Sequence, residues 1–179
     1  MKRSKKKMSK RNNSKGPRQT LRETMTLLME MYRRVLRKTG TVDQTLFCWT
    51  DGHFEIYSHS FGILGPSVAE AVLFVRSILR QRRAQQAIVA DLIHVVEQPL
   101  FAPIQTPIKD QPGSVEAIVV VGANKHENEW MLQPFYRTDE NPLDIVFDDP
   151  EEGSASHICS HPWFRGIEFT DFDTSEPTA

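Results

Sequence analysis

Three residues of one short segment carry side chains suited to chemistry. His157, Cys159 and His161 stand at i, i+2 and i+4, so an extended chain turns all three to one side. Imidazole and thiolate are ligands for zinc or copper. A tetrahedral structural site needs a fourth ligand, and neither a Cys-x-x-Cys pair nor a neighbouring histidine supplies one. Zinc is the candidate metal on this incomplete set, and an ordinary polar segment is the plainer reading.

A second set is Cys48, His53, Glu55 and His59. A thiol, an imidazole and a carboxylate on one face are the parts of a nucleophile and its base. His53 and His59, however, lie six residues apart, which is roughly 20 Å along a strand, too far to act on one atom. The chain has no Gly-x-Ser-x-Gly, no Walker loop, no Gly-x-Gly-x-x-Gly and no His-Glu-x-x-His, the motifs that would mark common catalytic sites. A non-catalytic protein is expected, with a metal-dependent or cysteine enzyme as an alternative.

Charge is the stronger signal. Residues 1–38 hold 14 Lys/Arg against two acids, residues 39–137 hold 7 against 10, and residues 138–179 hold 1 against 11. The formal net charge of −1 conceals a cationic head and an anionic tail. Residues 1–19 carry nine cations and no acid, Lys2, Arg3, Lys5, Lys6, Lys7, Lys10, Arg11, Lys15 and Arg18. Without an apolar period this segment cannot offset its ordering entropy, so it reads as a disordered basic arm. With Arg33, Arg34, Arg37 and Lys38 it would hold a nucleic acid or a ribonucleoprotein through phosphate contacts. A solubilising tail and a targeting address are the alternatives. At the other end Trp163, Phe164, Phe169 and Phe172 interleave with acids. Such a segment docks on a protein partner, docks on its own body as a covering strand, or stays mobile. If the two charged ends meet between molecules, salt-sensitive self-association follows.

Two cysteines, Cys48 and Cys159, exclude a disulfide scaffold. No apolar run approaches the ~18 residues of a membrane span, and the basic N-terminus lacks the apolar core of a secretory signal. A cytoplasmic protein without a membrane partner is expected.

The elements that must position these groups are legible in outline. Thr20-Leu21-Arg22-Glu23 is a capping box, Leu21, Met25, Leu28, Tyr32 and Val35 recur at helical spacing, and Gly40 is a stop. This predicts a helix over 20–38. Asp51-Gly52 between apolar runs predicts a hairpin with Thr50 opposite His53 and Cys48 opposite Glu55. Phe47, Trp49, Phe54 and Ile56 then share one face, expected to be buried, and Cys48, His53, Glu55, Tyr57 and His59 share the outer one. Ser67 and Glu70 open a second helix with Val68, Ala71, Val72, Val75, Ile78 and Leu79 as its stripe. Residues 87–97 fit a strand better than a helix. Four prolines between Pro99 and Pro112 make a long loop. Val115–Gly122 is the strongest strand, apolar on both faces. Residues 129–137 return as an edge or bulged strand because Pro134 cannot donate to a ladder, and 143–147 is a short last strand.

The sum is an α+β fold. Two helices are expected on one face of a mostly antiparallel sheet of about five to six strands. The domain spans 20–147, between the arm at 1–19 and an acidic, aromatic-containing tail at 148–179. The second face of Val115–Gly122 is left to the proline loop, the tail or a partner. The layout of 20–147, with its Glu116-Ala117-Ile118-Val119-Val120-Val121-Gly122 strand, resembles small α+β proteins of bacteria and their phages. The resemblance implies the fold, and no functional residue comes with it.

Overall fold

The computed structural model of the 179-residue chain describes residues 20–50, 53–58, 68–96, 108–154 and 163–171. Among them are two α-helices, α1 (Leu21–Thr39) and α2 (Val68–Gln81), and seven strands. The strands are β1 (Thr45–Thr50), β2 (His53–Ser58), β3 (Gln86–Val95), β4 (Val115–Asn124), β5 (Asn128–Arg137), β6 (Ile145–Phe147) and β7 (Glu151–Ser154). Every pairing is antiparallel, and the order across the sheet is β2-β1-β3-β4-β5-β6, with β7 also paired to β5. The α+β class stands. The count is seven rather than five to six, because the acidic Glu151–Ser154 segment, placed by its sequence in the tail, pairs with Glu129–Leu132 of β5.

The capping box forms at the start of α1. The Thr20 hydroxyl accepts from the Glu23 N–H at 3.2 Å, and the Glu23 carboxylate accepts from the Thr20 N–H at 2.7 Å. Gly40 closes the helix in the left-handed region (φ 77°), where its N–H donates to the Leu36 carbonyl. A side chain there would carry a steric cost that glycine avoids. The buried stripe is Leu21, Met25, Met29, Tyr32 and Leu36. It is rotated from the expected one, so that Val35 faces solvent.

The expected placement of both helices on one face is not what the chain adopts. Strand β4 is apolar in both directions, and each direction receives its own helix. Ile118 and Val120 pack under α1 with Ile88, Ala90, Met131 and Phe135. Val121 and Ala123 pack under α2 with Leu46, Cys48, Ala87 and Val89. Alternate residues of a strand point to opposite faces, so a run without a polar face demands two covers. The second cover is α2, joined by Trp163 and Phe164 from the acidic tail. Of the proline loop, residues 97–107 lie outside the described residues.

Gly122 does not end the strand but lies within β4, where a Cβ would stand 2.7 Å from Met25 Sδ and 2.9 Å from Leu21 Cδ1. Its lack of a side chain lets the first turns of α1 settle onto the sheet. Pro134 does not sit on an edge strand, but the ladder beside it is bulged: three residues of the β6–β7 join, 148–150, stand against Gln133 and Pro134 of β5. It pairs opposite Ala117 of β4, and on its other side it falls where β6 has ended and β7 has not begun. There the missing N–H deprives no ladder partner. The buried Gln133 amide donates across the gap to the carbonyls of Pro134 and Asp148.

Candidate functional site

Helix α1 rests chiefly on β4, with β3 and β5 beside it. Six strand positions at ~4.8 Å spacing span about 24 Å, and one helix is only ~10 Å wide. Among the described residues, therefore, no helix lies above the β1–β2 part of this face. The flank of α1 on that side is apolar, with Leu27, Met31 and Val35 at i, i+4 and i+8, all exposed. From the sheet below rise Phe54, 50% exposed, and Ile56, 56% exposed. Phe47 stacks on Phe54 (ring centroids 6.3 Å apart), and Trp49 tilts against the same ring at 4.7 Å. A hollow of about 280 Å³ lies between helix and hairpin, lined by Met31, Tyr32, Val35, Val42, Phe47 and Ile56 among others. Burial pushes the Tyr32 phenol up to about 12, and its hydroxyl donates to the Asp43 carbonyl at 3.2 Å.

The hairpin register is the expected one, residue for residue, but the burial of its two faces is not. The aromatic face, expected inside, is the open one at β2. The face expected outside is covered at β1, where Leu46 and Cys48 are fully buried under α2. The alternation was right, and the crossover of α2 decides which side is closed.

This placement also removes the proposed nucleophile. Burial, and secondarily the Glu55 carboxylate, push the Cys48 thiol up to about 11. A buried protonated thiol is a weak nucleophile. Glu55 is itself engaged, accepting from the Tyr57 hydroxyl and pairing with Arg82 at 3.3 Å. His53 is exposed on the same face, and His59 lies outside the described residues. So do His157, Cys159 and His161. Among the described residues no group of three His, Cys, Asp or Glu side chains is placed to hold a metal ion.

The cationic flank of α1 faces the opposite way, toward β6 and β7. Arg22 pairs with Glu152 and lies 3.8 Å from Glu129. Arg33 and Arg37 lie over the Phe147 ring at 5.7 and 4.9 Å. Arg34 reaches Glu30 at 3.7 Å along the helix, and Lys38 is exposed. The nine cations of the arm lie outside the described residues. Arg33 follows Thr20 by thirteen residues, about 20 Å of helix, so the cluster lies at the end of α1 away from Thr20.

Beyond β7, the described part of the tail, residues 163–171, docks on the body without forming a strand. Trp163 is 6% exposed and Phe164 3%, which leaves these two rings no surface to offer a partner while the fold holds. Phe169 is half-buried and meets Phe164 edge-on at 6.1 Å. Phe172 lies outside the described residues. Thr170 donates its N–H to the Ala84 carbonyl and its hydroxyl to the Arg83 carbonyl, both at 3.0 Å, and Gln85 donates to the Asp171 carbonyl at 2.9 Å. Lys125 pairs with the Asp171 carboxylate, with His126 at 3.5 Å, and Lys125 foremost holds that carboxyl below its ordinary range. A hollow of about 520 Å³ between the β4–β5 turn and the tail is lined by Asn124, Lys125, Phe164, Ile167 and Phe169 among others.

Sequence reasoning missed the open aromatic face. The signal was present as a shortage, since two helices were counted against a sheet whose central strand is apolar on both sides. No helix of the described residues is long and apolar enough to cross a membrane. No family model, no curated protein and no solved structure matches the chain.

Proposed function

We propose that this chain is a non-catalytic, cytoplasmic binding module that engages nucleic acid, free or within a ribonucleoprotein, through its cationic N-terminal arm. The segregation of charge carries this reading. Nine Lys/Arg and no acid occupy residues 1–19, whereas several cations of the body are engaged within it. Arg22, Arg34, Arg82, Lys125 and Arg137 have carboxylate partners, and Arg33 and Arg37 lie over a ring. A run of cations with no acid among them in sequence is matched by a phosphate backbone, whose condensed counterions are released on contact. Lys38, exposed at the far end of α1, is a secondary contact. The buried, protonated Cys48 favours binding over catalysis. The test is titration of labelled random-sequence duplex and single strand with the full chain and with a chain lacking residues 1–18. Loss of binding on deletion supports the reading, and equal binding by the two chains refutes it.

A second reading, a protein–protein adaptor or inhibitor, is favoured by the exposed apolar ledge of Leu27, Met31, Val35, Phe54 and Ile56. Monomeric proteins seldom leave such patches open. The contact then moves from the tail aromatics and the polar hairpin face to this ledge. Partner capture that survives deletion of the arm and fails on Phe54→Lys would support it over the first.

A further inference from the structure

The hollow of about 520 Å³ between the β4–β5 turn and the docked tail has the sheet as its floor, where Ala123 of β4 pairs with Asn128 of β5. The tail forms its wall, with Phe164, Ile167 and Phe169. Phe164 is 3% exposed and meets Phe169 edge-on at 6.1 Å, which fixes the Phe169 ring. Ile167 and Phe169 are half-buried and leave apolar surface to the hollow they line. Asn128 is the unusual member. It is 6% exposed, and among the described residues its carboxamide has no hydrogen-bond partner. The neighbouring Asn124 is fully engaged: its carboxamide oxygen accepts from the His126 and Glu127 N–H groups, both at 2.8 Å, and its nitrogen donates to the Glu127 carboxylate at 3.2 Å. Buried polar groups without a partner are rare, and one that lines a cavity points to a group that enters it. Charge narrows that group. The Lys125 ammonium is paired with Asp171, and Glu168 adds an exposed carboxylate. Among the described residues lining the hollow, no cation is left free for a phosphate. A neutral, flat ligand with a polar edge fits, its edge on the carboxamide and its face on the apolar wall.

We propose that this hollow takes an adenine base, with Asn128 reading its edge. A carboxamide presents a donor and an acceptor side by side, and adenine presents N7 and the N6 amino group to match both at once. Unpaired bases are held by stacking on aromatic side chains, and Phe169 with Ile167 supplies that surface. The base belongs to a single strand or to a free nucleotide, since both carry the same edge and face. For a base carried on a strand the proposal deepens the nucleic-acid reading and rests on it. The arm would hold the phosphates, and the hollow would hold a base.

Equilibrium dialysis of labelled adenosine against the full chain tests this. Adenosine carries no phosphate, so the arm cannot hold it by charge. Saturable binding is expected at low and high salt alike, since neither contact is between charges. Purine riboside, which lacks the N6 amino group, should bind roughly tenfold or more weakly. Asn128→Ala should bind adenosine no better than purine riboside, with far-UV circular dichroism unchanged. The wild-type comparison of the two ligands decides even if that variant does not fold. Adenosine that fails to bind, purine riboside that binds the wild-type chain as well as adenosine does, or a folded Asn128→Ala chain that still tells the two apart would each overturn the proposal. Loss of adenosine binding beside intact, salt-dependent strand binding removes this site alone, and the reverse result removes the arm reading alone. Competition names the source, and both of its outcomes support the site. A single-stranded oligoadenylate that displaces adenosine at a lower base concentration than AMP makes the ligand a base of a strand, and equal displacement makes it a free nucleotide.

Discussion

Phe164→Ala separates a tail that belongs to the core from a tail held in reserve for a partner. Phe164 is 3% exposed, shares the α2-side cluster with Val75, Leu79, Val89 and Val121, and meets Phe169 edge-on. Removing a buried phenyl ring typically costs ~3–5 kcal/mol, as lost transfer energy plus the cavity left behind. Phe164 already borders the hollow of about 520 Å³ below the β4–β5 turn, so water can enter the space vacated. That places the loss at the lower end, about 3 kcal/mol. For a domain of this size 1 kcal/mol moves the thermal midpoint by ~2–4 °C, so the shift is roughly 6–12 °C. Phe54→Ala is the control. Its ring is half exposed, and about 1 kcal/mol is expected. Urea unfolding followed by far-UV circular dichroism gives both midpoints, with the slopes checked for constancy. If Phe164→Ala unfolds at the wild-type midpoint, the tail is not part of the core, and the account of what covers the second face of β4 is wrong.

Two further outcomes follow from the packing. Gly122→Ala drives a methyl against Met25 Sδ and Leu21 Cδ1, and overpacking of this kind costs ~1–3 kcal/mol. Because the clash is with Met25, a double-mutant cycle with Met25→Ala gives a penalty smaller than the sum of the two single ones, and strict additivity would contradict it. Stability falls in alkali. The folded Cys48 thiol titrates at about 11 against an ordinary 9.0, and the Tyr32 phenol at about 12 against 10.0. Above the unfolded values the unfolded chain has lost protons that the native chain keeps, so unfolding becomes easier as pH rises. Each contribution is fully present below its unfolded value and is lost progressively up to its folded one. Two units correspond to about 3 kcal/mol at most for each group. Urea unfolding at stepped pH checks this, and Cys48→Ala removes the part that begins near pH 9, relative to its own neutral value; an unchanged slope there would refute the assignment.

How much could be read in advance depends on how local the determinant is. The Thr20–Glu23 capping box and the Gly40 stop are settled within four residues, and both were legible. The hairpin register was legible because Asp51-Gly52 between two alternating runs fixes every pair beyond it. Which face α2 covers is decided by how the chain crosses from β2 to β3, and no period records that. Cys48 therefore read as outer and is buried. β7 was hidden because Glu151-Glu152-Gly153-Ser154 has no strand character of its own. It is held by pairing with β5, by Arg22 on Glu152, and by Trp130, whose ring lies where a Cβ on Gly153 would stand. Trp163 and Phe164 were recognisable as apolar residues among acids, but their destination lies eighty or more residues away in sequence, on α2 and the turn after it. Of the candidate sites, composition alone displayed the cationic arm, and only the layered structure exposed the Phe54–Ile56 ledge.

The central claim is that the arm binds a polyanion through its charge. Its most direct measurement is the salt dependence of nucleic-acid affinity. With nine cations in residues 1–19 and a slope of about −0.9 per phosphate neutralised on a duplex, a plot of log affinity against log salt should fall with a slope approaching about −8 if all nine engage. It should flatten to near zero on deletion of residues 1–18. A full chain that does not bind, or whose slope survives that deletion unchanged, would contradict it.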